Sequence, residues 1–257
     1  MRIKREKLVK DYIRHFSQQS ENYLLFRPNY PTVLYDYLSN LVQEHQNAWD
    51  CGAGNGQAAL ALTQYFTLIT ATDINQAQLD QAPRNEKIRY ICCTAENTPI
   101  LPHSIDLITV AQALHWFNFD LFYEEVRRVS KPAGIIAVWC YSLGKFDTGL
   151  DDLVTKLYTD ILGDKYWPME RRFIDEEYRT IPFPFSKISS PSFTIDKKLN
   201  LAQFLGYLNT WSAVKEYQLR NKLNPINWIL KELEAIWGDP KQYHPLQWPI
   251  HLLVGSV

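Results

Sequence analysis

The chain has 257 residues, 46% of them hydrophobic and 21% charged, which excludes fibrous, coiled-coil and wholly disordered architectures and allows a sizeable core. Lys and Arg number 27 against 28 Asp and Glu, so no net field draws the chain to nucleic acid or an anionic membrane. What stands out is an aromatic content of 14%, and most of those rings lie outside residues 46 to 140.

The N-terminus is basic, but Asp11 and Arg14 interrupt any apolar segment that could follow it in an export signal. No apolar window approaches membrane-spanning length. A cytoplasmic location is expected. Cys51, Cys92, Cys93 and Cys140 lie in or beside apolar strand-like runs without zinc-type spacing, so they read as reduced core thiols and no metal is expected. Residues 1–45 read as helices broken at Arg27-Pro28-Asn29-Tyr30-Pro31, a stiff turn that gathers Tyr23, Arg27 and Tyr30.

From 46 to 141 short apolar runs alternate with helical patterns, the signature of a parallel sheet covered by helices. Strands are expected at 48–51, 68–73, 88–93, 104–110 and 135–141, with helices at 56–66, at 75–82 and around Phe122 to Val129, stopped by Lys131-Pro132-Ala133-Gly134. Residues 142–245 lose that rhythm. Helical stretches near 149–162, 200–208 and 225–237 and an extended run at 192–195 remain, and residues 246–257 form one more strand closing the core sheet.

The most informative stretch is Trp49-Asp50-Cys51-Gly52-Ala53-Gly54-Asn55-Gly56-Gln57, where a strand runs into a helix. Glycines there allow a sharp turn and let a ligand approach the main chain. Asp73, ending the second strand, is placed to accept from both hydroxyls of a ribose. Loop and acid together describe a nucleoside crevice at the carboxyl ends of the first two strands. A dinucleotide fingerprint needs its third glycine at position 57, where the chain has Gln57, and no Gly-Lys-Ser/Thr supports a triphosphate loop.

This stretch resembles the first motif of the class I S-adenosyl-L-methionine (SAM) dependent methyltransferases. The similarity continues through Thr94-Ala95-Glu96-Asn97-Thr98-Pro99, Ser104-Ile105-Asp106-Leu107-Ile108, Ala111-Gln112-Ala113-Leu114-His115-Trp116-Phe117 and Arg128 to Gly134, in the order seen in the small-molecule branch that includes trans-aconitate methyltransferase. The resemblance implies a doubly wound, Rossmann-like, mostly parallel α/β sheet with helices on both faces and a helical lid built from the N-terminal segment and residues 142–245. It implies SAM as cofactor, with Asp50, Gly52 and Gly54 at its methionine part, Asp73 on the ribose, Ile74 and Ala95 against the adenine and Gln112 beside the sulfonium. Thr94 departs from the acid many relatives carry, leaving the adenine amine to the Ala95 amide.

Methyl transfer from a sulfonium is an in-line displacement, for which a protein mainly supplies alignment and exclusion of water. A protonated acceptor needs a base, and His115, just past the fourth strand, is the candidate, unless it is a packed corner of its loop. Arg27 and Tyr23 either grip an acidic acceptor or anchor the N-terminal helices. Trp116, Trp139 and Trp211 either wall an acceptor pocket or belong to the core. The expected partner is a small organic acceptor, a carboxylic acid being one class to which Arg27 and the family likeness point; no nucleic acid or membrane is expected, the loop after the fourth strand lacking an Asn-Pro-Pro-Tyr element to clamp a flipped base. Two other functions fit the crevice. One is a nicotinamide-dependent oxidoreductase, to which Tyr141 and Lys145 lend a superficial Tyr-x-x-x-Lys match; the other is a SAM-binding protein that transfers nothing.

Overall fold

The computed structural model describes residues 28–146 and 149–257. A helix, α1 (Thr32–Leu41), precedes β1 (Asn47–Cys51), α2 (Gln57–Leu62), β2 (Leu68–Asp73), α3 (Gln76–Leu79), β3 (Ile88–Cys92) and β4 (Ile105–Ala111). After a 3-10 turn at Leu114–Trp116 come α4 (Phe119–Val129), β5 (Ser130–Tyr141) and the short β6 (Lys145–Phe146). The insertion holds α5 (Leu150–Thr155), which widens into a π-helical segment at Lys156–Leu162, then α6 (Gly163–Tyr166), α7 (Arg171–Asp175), β7 (Ser186–Lys187), β8 (Phe193–Leu199), α8 (Leu201–Asn209), α9 (Ser212–Asn221) and α10 (Leu230–Trp237). The closing strand is β9 (His244–Ser256).

Strands β3-β2-β1-β4-β5 are parallel in that order, and β9 adds antiparallel to β5. The expected doubly wound α/β sheet is therefore present. Six consecutive buried residues in β4 mark a strand covered on both faces. Alternate residues of β5 divide between two cores: Ala137, Trp139 and Tyr141 join α1, α2 and most of the insertion, whereas Ile136, Val138 and Cys140 join α4 and the Ile174–Tyr178 region.

The elements differ from expectation in four places, each for a local reason. The Lys131–Gly134 stop lies inside β5: Ser130 already pairs with Ile105, and the residues to Gly134 bulge out, Ala133 at φ 60°, before Ile135 meets Leu107. The last strand starts at His244, two residues before the expected 246, because β9 continues along β8 until Leu199 pairs with His244. Helix α9 escaped notice because Ser212–Asn221 carries no continuous apolar stripe, only Ala213 and Val214 being its buried apolar positions. Of the four cysteines, Cys51 and Cys140 are core, but Cys92 is exposed, since β3 is an edge strand with an uncovered face. Among the described residues no helix is long and apolar enough to cross a membrane, and no cluster of His, Cys, Asp or Glu suits a metal.

Candidate cofactor and acceptor site

The chain between β1 and α2 is bound to the end of β2. The amides of Gly52 and Ala53 both donate to Thr72 O, at 2.8 and 2.9 Å, and the Gly54 amide donates to Asp73 Oδ2 at 2.8 Å. Asp73 Oδ1 accepts from the Asn75 amide at 2.8 Å, so the acid that ends β2 organises the glycine loop as well as its own turn. Gly52, with φ +70°, is required on two counts: that conformation strains L-residues, and a Cβ would lie 2.6 Å from Ala113 Cβ and 3.2 Å from the Phe117 ring.

Asp50 faces the same side of the sheet as its cross-strand neighbour Thr109, whose hydroxyl donates to Asp50 Oδ1 at 3.0 Å. Asp50 Oδ2 completes no hydrogen bond among the described residues. Burial pushes the carboxyl up to about 7, with the negative Asp73 adding to the shift and the Thr109 hydroxyl and Ala59 amide opposing it. A second buried atom without a partner, Asn55 Nδ2, lies in the glycine loop itself. An acceptor and a donor, both shielded from bulk water and both on residues lining one cleft, each carry a desolvation cost that a bound polar group would relieve.

That cleft, about 600 Å³ counted to its open mouth, lies over the carboxyl ends of β1 and β4. Of the residues expected in a site, it brings together Asp50, Gly52, Gly54, Gln112 and Trp116. Asp73, Ile74 and Ala95 are not in its lining; they follow the ends of β2 and β3 beyond the glycine loop, Asp73 and Ala95 buried and Ile74 partly exposed. Gln112 has φ +56° and spends its amide on the next strand, Oε1 accepting from Tyr141 N at 2.8 Å and Nε2 donating to Tyr141 O at 3.3 Å. Its backbone and side chain thereby fix the rim between β4 and β5.

Three expected residues are placed elsewhere. His115 is buried on the far side of its turn and does not line the cleft: Nδ1 and the Tyr178 hydroxyl share a 2.8 Å hydrogen bond, and burial, with the positive Arg171 nearby, pushes the imidazole down to about 3. A proton acceptor that weak and that enclosed has neither the basicity nor the access for general-base work near neutrality. Its packed-corner alternative is the one the geometry fits. Trp211 is 3% exposed and packs between Tyr158, Trp167 and Tyr207, with ring centroids 5.6 to 5.9 Å away, inside the insertion's core. Trp139 is fully buried as well, with its Nε1 unpartnered among the described residues, and it does not line the cleft. Tyr23 and Arg27 fall outside the described residues.

The cleft also contains residues that motif reading did not select. Tyr30, from the proline-flanked turn, edges against Trp139 with centroids 5.3 Å apart, and Gln57 ties that turn to α2 by donating to Pro28 O at 3.2 Å. Asn55 was detectable as the polar member of the glycine loop; buried Gln78, on four-residue α3, leaves no sequence signal.

A glycine loop after β1, an acid ending β2 and a buried acceptor and donor without partners among the described residues, Asp50 Oδ2 and Asn55 Nδ2, meet at one end of the sheet; an ammonium and a carboxylate, such as SAM carries on its methionine part, would satisfy the two atoms. Comparison with known proteins carries the assignment further. Residues 49–138 match a family described as a methyltransferase domain. A Dictyostelium discoideum protein named as a methyltransferase is 36% identical over 248 residues, 94% of each chain. A solved Anaeromyxobacter dehalogenans structure described as a type II methyltransferase superposes with a TM-score of 0.84 at 38% identity, covering 90% of this chain and 98% of that one. A Saccharomyces cerevisiae protein named as a SAM-dependent methyltransferase is 28% identical over 137 residues, 50% of this chain and 47% of its own. The chain belongs to the class I SAM-dependent methyltransferases.

Proposed function

We propose that the protein transfers a methyl group from SAM to a small organic acceptor, which docks over the carboxyl ends of β4 and β5. The observation that carries the reading is the pair of unpartnered buried atoms, Asp50 Oδ2 and Asn55 Nδ2, in a glycine-walled cleft. SAM supplies a methyl group on a sulfonium leaving group. Asp50 accepts from the methionine ammonium, and its raised pKa falls as that cation arrives. Asn55 donates to the methionine carboxylate. Asp73 receives the ribose hydroxyls while continuing to hold Gly54 and Asn75, since each carboxylate oxygen can accept more than one hydrogen bond. Ile74 and Ala95 border the adenine, and Gln112, locked to Tyr141, sets the rim beside the transferred group. Trp116 limits water at the cleft mouth.

Residues 142–146 and 149–245 form the acceptor-side cover. With His115 committed to Tyr178, the reaction relies on alignment and on an acceptor that is already nucleophilic, as a carboxylate is. The third glycine at 56 rather than 57 speaks against a nicotinamide dinucleotide. Calorimetric titration against SAM, S-adenosylhomocysteine and NAD tests the proposal: binding of the first two is expected, and binding of NAD alone would overturn it. Binding without turnover across a broad acceptor panel would favour a SAM-binding protein that transfers nothing.

A further inference from the structure

The insertion holds one arginine that folding has carried largely indoors. Arg171 begins α7 with its side chain 17% exposed; Nε donates to the Tyr158 hydroxyl at 2.8 Å and lies 3.5 Å from Asp175 Oδ1. The guanidinium carbon is 4.9 Å from the Trp167 ring centroid and 5.3 Å from that of Tyr158, so aromatic faces hold it. All of these contacts use the Nε side or the planar faces. The two terminal amino groups, with four N–H donors, bond to no described residue. The outer edge of the guanidinium is therefore open to a visiting ligand.

Its location says what that visitor is. Helix α7 packs on the Leu114–Trp116 turn, and Trp116 lines the cofactor cleft. Arg171 therefore lies between that turn and the insertion's aromatic cluster of Tyr158, Trp167 and Trp211.

We propose that Arg171, held by Tyr158 and Trp167, binds a carboxylate of the methyl acceptor through its two terminal amino groups. The inference rests on the methyltransferase reading of the cleft and adds a specificity-determining residue to it. The uncommitted edge of the guanidinium matches the two oxygens of a carboxylate in a bidentate pair. Asp175, beside the arginine, repels a phosphate dianion more strongly than a carboxylate monoanion.

The test is calorimetry on the full chain, with and without S-adenosylhomocysteine, using acetate, benzoate and succinate, their amides, and phenyl phosphate. On the wild type, at least one carboxylate is expected to bind about tenfold or more tighter than its amide and than phenyl phosphate. Arg171→Met removes that preference, and Arg171→Lys, which keeps the charge without the fork, retains only part of it. Both variants bind S-adenosylhomocysteine within about twofold of wild type, which also reports that they fold. The proposal is overturned if no carboxylate outbinds its amide on the wild type, a result that needs no variant, or if the preference survives Arg171→Met. Tighter phenyl phosphate binding overturns the carboxylate assignment. Failure of the wild type to bind S-adenosylhomocysteine is a different result: it removes the methyltransferase reading, while the carboxylate titration without it still reports on Arg171.

Discussion

The end of β1 and the turn after β4 lie at the same edge of the sheet, and each buries a titratable side chain, yet they have opposite states of completion. Asp50 has one carboxylate oxygen bonded and one unmet, and its pKa is driven up to about 7. His115 has its Nδ1 matched to Tyr178, and its pKa is driven down to about 3. Burial is the main cause of both shifts, since it disfavours charge of either sign. The difference lies in what the fold leaves undone: Asp50, in the cleft lining, keeps one oxygen for a ligand, whereas the Nδ1 of His115 is already used by Tyr178.

The contrast can be broken most forcefully at Gly52. Gly52→Ala combines a strained φ with a clash on Ala113, so a stability loss of about 2–4 kcal/mol is expected, together with loss of S-adenosylhomocysteine binding, read by thermal unfolding and calorimetry. Asp50→Asn sharpens it. Affinity for S-adenosylhomocysteine should fall by about ten- to a hundredfold, because a charge-assisted bond to the ammonium is lost.

The free Asp50→Asn protein should move the other way. With its folded pKa raised from 3.8 to about 7, Asp50 in the folded state holds a proton the unfolded state has released, so its contribution declines as pH rises through that window. The variant should therefore be more stable than wild type by about 1–2 kcal/mol near pH 8, with the gain gone near pH 4. His115 works in the reverse direction. Its folded pKa lies below 6.5, so the unfolded state takes the proton first and stability is lost as pH falls from 6.5 toward about 3. His115→Gln should flatten that acid-side loss in a melting-temperature series. Tyr178→Phe, which strands the imidazole, should cost about 1–3 kcal/mol while leaving S-adenosylhomocysteine affinity unchanged. The smallest effect is expected at Asn55→Ala: affinity weaker by about 1 kcal/mol and stability nearly unchanged, since the group removed makes no bond in the free protein.

The glycine-loop side of the cleft was legible in the sequence because its constraints are local. Gly52 and Gly54 at alternate positions, Asp50 in the strand before them and Asp73 ending the next strand follow from chain direction and spacing alone. His115 and Trp211 were not separable from functional residues by that means. What removes His115 from the cleft is Tyr178, 63 residues away, and what encloses Trp211 is a set of rings from three segments of the insertion. Arg171 had no signal either: it stands in a charged run, Glu170-Arg171-Arg172, and only folding distinguishes it from Arg172, which is exposed. The aromatic excess divides similarly, most of the insertion's rings being packing, with Tyr158 and Trp167 tied to the arginine.

Strand β9 has a consequence for assembly. It fills the gap between β5 and β8, pairing Cys140 with His251 and Ile195 with Trp248, so the outer edge of β5 stays open until a segment roughly a hundred residues later in the chain has been made. In that interval Ile135–Tyr141, an apolar run with free backbone donors and acceptors, is the part of the nascent chain most able to pair with another molecule. The insertion thus sets a kinetic hazard: every residue it adds lengthens the time for which the core sheet is unsealed.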